Sequence, residues 1–165
     1  MVTGSVKVTN GATLTISAGT QITVQSGGDY KIWIDSTGFL VANTNNDDIS
    51  ISSDGSGTDD WKGIEFTDNT SSNSSSGSSL KGVTISNATY GVNVEGQGIL
   101  IDDCVFENNE KSIYLTNTDS VKITNSTFKD TNGCIDTPYE GGGTFNNVEI
   151  SNNNFLGGGT AAAIW

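Results

Sequence analysis

Residues 99–137, ILIDDCVFENNEKSIYLTNTDSVKITNSTFKDTNGCIDT, carry one pattern twice. A shift of 22 residues sets Ile99 on Val121, Ile101 on Ile123, Phe106 on Phe128 and Ile113 on Ile135. Asp103 lands on Asn125 and Glu107 on Lys129. Apolar residues thus recur at apolar positions, with turn-forming or charged residues between them. A fixed period in the twenties marks a solenoid, because one coil cannot bury its own apolar face and must stack on the next.

Traced outward, the pattern resolves into three short strands per coil with inward residues at i and i+2. The first strand supplies Val6/Val8, Ile32/Ile34, Ile64/Phe66, Val92/Val94, Ile113/Leu115, Ile135/Thr137 and Ala162/Ile164. Leu14/Ile16, Phe39/Val41, Leu80, Ile99/Ile101, Val121/Ile123 and Val148/Ile150 form the second. The third runs Ile22/Val24, Ile49/Ile51, Val83/Ile85, Cys104/Phe106, Ser126/Phe128 and Asn153/Phe155. Six coils and the opening strand of a seventh result. Between strands two and three stand Gly82, Asp103, Asn125 and Asn152. Asn, Asp and Gly tolerate the left-handed backbone of a tight corner, so this ladder reads as structural. The Ser/Asn-rich stretch 68–79 reads as a flexible excursion from the third coil.

The I-x-x-x-x-F and N-x-x-F phrases of residues 80–165 resemble the repeat of right-handed parallel β-helix proteins of the pectate-lyase-like group. GATLTISAGTQITV (11–24) and DDISISSDGSGTDDWKGIEF (47–66) resemble the early coils of its secreted bacterial members. The expected fold is therefore all-β: one right-handed parallel β-helix domain over residues 1–165, of six to seven coils. A leucine-rich repeat would need L-x-x-L-x-L and a helical return, and a β-sandwich leaves the 22-residue self-match unexplained.

The resemblance implies little about activity, since this fold carries lyases, hydrolases, esterases and inert stalks alike. Its lyases hold Ca²⁺ with carboxylates and use an Arg or Lys base; its pectin hydrolases carry N-T-D, D-D and G-H-G phrases. Asn117-Thr118-Asp119 and Asp102-Asp103 are present, but in the reverse order, and the chain has no histidine and no arginine. Neighbouring strand residues point to opposite faces, which makes Asp102 and Asp103 poor partners for acid–base work on one bond. Lys111 and Lys122 are the lysines nearest to acids, but a solvated lysine is protonated at neutral pH and makes no base. No Ca²⁺ motif of the G-G-x-G-x-D or EF-hand type occurs. No cofactor is expected, and a bridging Ca²⁺ has no motif behind it.

Nineteen acidic residues against seven lysines give a net charge of −12. Such a surface repels nucleic acid and anionic lipid, which excludes both as partners. No apolar run is long enough for a signal peptide or a membrane span. The chain reads as a mature form or a piece of a longer protein, extracellular or at the cell surface. Its final TAAAIW lacks a polar cap, which raises end-to-end association as a reading. Cys104 and Cys134 fall in different parts of the repeat, so no disulfide is expected.

Residues between the inward pairs of the first strand face out and stack about 4.8 Å apart. That column reads Lys7, Trp33, Glu65, Asn93, Tyr114, Asp136 and Ala163, with Asp35, Thr67, Glu95, Thr116, Pro138 and Trp165 beside it. Aromatic rings among carboxylates and amides are what a polysaccharide needs, stacking on sugar rings and bonding hydroxyls. The expected ligand-binding residues are Trp33, Glu65, Asn93, Tyr114 and Asp136, the partner being a polysaccharide or cell-surface glycan. The expected role is non-catalytic. The alternatives are a polysaccharide lyase with a lysine base and Ca²⁺, and an end-to-end assembling surface or fibre subunit. The outward third-strand array, Thr23, Ser50, Thr84, Val105 and Thr127, reads as ordinary solvent-facing strand.

Overall fold

A computed structural model describes residues 1–43, 48–67, 77–129, 133–138 and 143–156. The chain winds through six coils of three strands. The first two are β1 (Val6–Val8), β2 (Thr13–Ile16), β3 (Gln21–Val24), then β4 (Lys31–Asp35), β5 (Phe39–Asn43), β6 (Ile49–Ser53). Next come β7 (Trp61–Thr67), β8 (Ser79–Lys81), β9 (Val83–Ser86), then β10 (Ala88–Glu95), β11 (Ile99–Asp102), β12 (Val105–Glu107). The last are β13 (Lys111–Thr116), β14 (Val121–Thr124), β15 (Thr127–Lys129), then β16 (Ile135–Asp136), β17 (Glu149–Ser151), β18 (Asn154–Phe155). Every third strand pairs in parallel, giving three six-stranded sheets: β1-β4-β7-β10-β13-β16, β2-β5-β8-β11-β14-β17 and β3-β6-β9-β12-β15-β18. This is a parallel β-helix. The described residues contain no helix, hence none long and apolar enough to cross a membrane.

Inward residues close into one core. Ile32, Ile64, Val92, Ile113 and Ile135 sit opposite one another along the first sheet, and all are buried. In the third sheet Phe106, Phe128 and Phe155 stack ring on ring. Gly82, Asp103, Asn125 and Asn152 all have φ between 53° and 62°. Asn and Asp reach the left-handed region because their short polar side chains bond locally. The corner also continues the ladder, Asp103 N–H donating to the Thr124 carbonyl and Asn125 N–H to that of Ser151. A second ladder turns the third strand into the first at Asn87 and Asn108, φ 62° and 52°, with the Asn108 amide donating to the Asn87 side chain at 2.8 Å.

The early coils differ from expectation in two places. In β5 the inward pair is Leu40/Ala42, both fully buried, while Phe39 and Val41 face outward. The run FLVA is apolar throughout, so alternation had no polar residue to register on. In the third sheet Ile22 stands opposite Ile51 and Val24 opposite Ser53, two residues from the expected match to Ile49 and Ile51. Thr23 consequently pairs with Ser52 and not with Ser50. Near the other end, β17 begins at Glu149, leaving Val148 outside the strand, and β16 ends at Asp136, leaving Thr137 half-buried beyond it. The expected Ala162/Ile164 strand and nearly all of the 68–79 excursion lie outside the described residues.

All seven lysines bind a carboxylate on a neighbouring coil. Lys7 reaches Asp35 at 3.0 Å, Lys31 Glu65 at 2.7 Å, Lys62 Asp29 at 3.2 Å and Lys81 Asp102 at 3.5 Å. Lys129 reaches Glu107 at 3.7 Å and Lys122 Glu149 at 3.0 Å, and Lys111 pairs with Asp136. Each junction between successive described coils therefore has at least one such clamp. They lie at the surface, where a single pair contributes up to about 1 kcal/mol.

Candidate functional site

The outer face of the first sheet carries the five residues singled out from the sequence. Trp33 pairs with Glu65, Glu65 with Asn93, Asn93 with Tyr114 and Tyr114 with Asp136, so one column crosses five coils. Lys7 heads it opposite Trp33. All five are half-buried. Buried neighbours on both sides of Trp33, Glu65, Asn93 and Tyr114, such as Ile32 and Ile34 around Trp33, hold those side chains outward, and Asp136 follows the buried Ile135.

Trp33 is the most tightly held. Its indole Nε1 donates to Thr67 Oγ1 at 2.6 Å, and the Lys7 and Lys31 ammonium groups lie 3.9 and 4.9 Å from the ring centre. Those cations attract the negative face of the indole. Lys31 also donates to Glu65 at 2.7 Å. At the far end Lys111 pairs with Asp136 and stands 5.3 Å from the Tyr114 ring centre. Thr67, from the neighbouring outward column, thus joins the site, together with two partners that the sequence reading did not name: Lys31 and Tyr90, whose ring centre is 5.2 Å from that of Tyr114. Lys31 lies two positions before Trp33 on its strand, the same-face spacing that brings in Thr67 beside Glu65 and could have found Lys31 as well. Tyr90 carried no such signal.

The candidate bases are engaged. Burial alone would lower the Lys111 pKa, but the hydrogen bond and charge of Asp136 outweigh it and hold the ammonium above its ordinary value. Lys122 is exposed and paired with Glu149. Asp103 occupies a corner, and Asp102 accepts from Asn125 at 2.7 Å and Thr124 at 2.9 Å. Those bonds, Asn125 first, pull the Asp102 pKa below 3.8 against the opposing effect of burial. In the N-T-D phrase Thr118 is buried and Asp119 accepts from the Asn147 amide at 3.1 Å. Both phrases serve the turns. An open groove of about 360 Å³ lies on the second sheet, lined by Leu100, Asp102, Lys122, Thr124 and Glu149 among others, away from the aromatic column. Among the described residues no three His, Cys, Asp or Glu side chains come together as a metal set.

Residues 71–162 match the family described as the right-handed β-helix region. That is more than half of the chain, and the protein belongs to this family, with the right-handed coil it implies. No curated protein and no solved structure matches the chain.

Proposed function

We propose that the protein is a non-catalytic, extracellular or cell-surface carbohydrate-binding module, its binding surface the outer face of the first sheet. The observation that carries this reading is the single register in which Trp33, Glu65, Asn93, Tyr114 and Asp136 stand on rigid strands. Aromatic rings offer apolar area to sugar faces, and flanking amides and carboxylates accept or donate to hydroxyls. Strand-borne side chains lose little ordering entropy on binding. A lysine-based lyase is disfavoured because Lys111 is held protonated by Asp136.

The test is a glycan panel probed with the wild-type chain, with and without Ca²⁺. Binding is expected, weakened by about 1 kcal/mol in Trp33→Ala and in Tyr114→Ala, with circular dichroism showing that each variant keeps the β-helix at the assay temperature. No glycan bound under either condition would overturn the reading. Ca²⁺-dependent release of unsaturated sugars would replace it with the lyase, and concentration-dependent filaments without glycan binding with the assembly subunit.

A further inference from the structure

Strict alternation along β10 would turn Tyr90 inward. Val94 and Val92 are buried, Asn93 faces out, and by the same count Tyr90 belongs with the valines. The structure does the opposite. Against β7 the register shifts between Tyr90 and Val92, so that Tyr90 stands opposite Gly63 and Val92 opposite Ile64. Gly91 is the extra residue. It lies inside, where an added Cβ would come 2.6 Å from the Ser112 carbonyl oxygen and 2.9 Å from the Phe106 ring. Gly63, at φ +92°, receives the displaced backbone: a Cβ there would meet the Tyr90 carbonyl oxygen at 1.5 Å. Bulges of this kind re-aim side chains. This one delivers Tyr90 to the outer face, its ring tilted 42° from that of Tyr114.

We infer that Tyr90 and Tyr114 form a two-ring stacking platform at one end of the binding surface, and that Trp33, with Lys7 and Lys31 over its ring, is the contact at the other. The ligand is then a neutral, extended oligosaccharide lying along the stack of coils. This rests on the carbohydrate-binding reading above and names the class of glycan. Trp33 is in the second coil and Tyr114 in the fifth, which puts their strands roughly 14 Å apart at the usual interstrand spacing. A single sugar ring cannot touch both, whereas a chain of sugars passes over Glu65 and Asn93 between them. Charge selects neutrality. Lys7, Lys31 and Lys111 are each held by Asp35, Glu65 and Asp136, leaving Glu95 as the surplus charge on this face. A polyuronate would meet that surplus and find each of these lysines already occupied.

The experiment titrates the intact chain with gluco-, xylo- and manno-oligosaccharides from monosaccharide to hexasaccharide, alongside galacturonate and glucosamine oligomers. Affinity should rise with length in at least one neutral ladder. Tyr90→Ala should weaken the long oligomers three- to tenfold and flatten the length dependence, with Tyr90→Phe close to wild type. Two results would overturn the inference while leaving carbohydrate binding intact: a monosaccharide bound as tightly as its hexasaccharide, or a preference for charged oligomers. So would Tyr90→Ala binding like wild type while Trp33→Ala does not. Absence of binding to every sugar would remove both.

Discussion

Phe106 and Phe128, one coil apart, stack with ring centres 5.2 Å apart and planes within 6° of parallel. Phe155 continues the pile at 4.9 Å from Phe128. The parallel register forces this geometry, since residues at equivalent positions of successive coils stand directly opposite each other. A repeated core position thus becomes a column of like side chains.

Phe128 is fully buried between two such rings, so Phe128→Ala should cost about 3–5 kcal/mol through lost burial and an unfilled cavity. Urea unfolding measures this directly. A loss below about 1 kcal/mol would mean that the column does not carry the core.

Gly63→Ala should destabilise the fourth coil against the third. The added Cβ collides with backbone at φ +92°, and backbone cannot swing aside as a flexible side chain does. The expected loss is on the order of 1–3 kcal/mol or more. Gly4→Ala, with open space around its Cβ, is the control and should leave the melting temperature unchanged.

Stability should fall in acid. The Asp102 carboxylate, bonded by Asn125 and Thr124 and facing Lys81, has its pKa lowered from 3.8 on folding. Asp35 is lowered too, first by its bond from Lys7 and then by the Ser36 N–H. A pKa lowered by folding adds stability above the unfolded value, and that stability disappears as pH falls through the folded one. Melting temperature should therefore drop as pH falls below about 3.8. Asp102→Asn, having no proton to bind there, should show a shallower drop. An equal drop in the variant would show that Asp102 contributes nothing to it.

Burial pushes the Cys104 thiol up to about 12. Because the thiolate is the reactive form, Cys104 should resist alkylation at pH 8 in the folded protein and label quickly in denaturant. Peptide mapping by mass spectrometry distinguishes it from Cys134. Rapid labelling of Cys104 in the native state would contradict its place in the core.

Periodicity alone determined the solenoid, the three strands per coil and the Asn/Asp corners, because stacked coils impose the same burial on every repeat. From Leu80 onward polar residues interrupt several of the apolar pairs, as Thr84, Asn93 and Lys122 do, so strand parity could be counted there and carried by the 22-residue repeat across Leu100 and Val105. The outward column follows from that parity at Asn93, Tyr114 and Asp136, and from the pairs Ile32/Ile34 and Ile64/Phe66 at Trp33 and Glu65. Only the tertiary structure decided where counting fails. The apolar run at Phe39–Ala42 takes its phase from the strands on either side, with Leu40 opposite Leu14 and Ala42 opposite Leu80. The Gly91 bulge reverses the parity of Tyr90, and its cause lies in the neighbouring Gly63 strand and the Phe106 ring beneath. Trp61 and Asn109 are likewise buried through partners far off in sequence: the Ser86 carbonyl for the indole, the Ile85 carbonyl and Ala88 N–H for the amide. Lysine pairing across coils belongs here too, since a side chain tens of residues away becomes a neighbour only once the coils are wound. Local pattern selects the face a residue shows when alternation is unbroken; contacts between coils select it everywhere else.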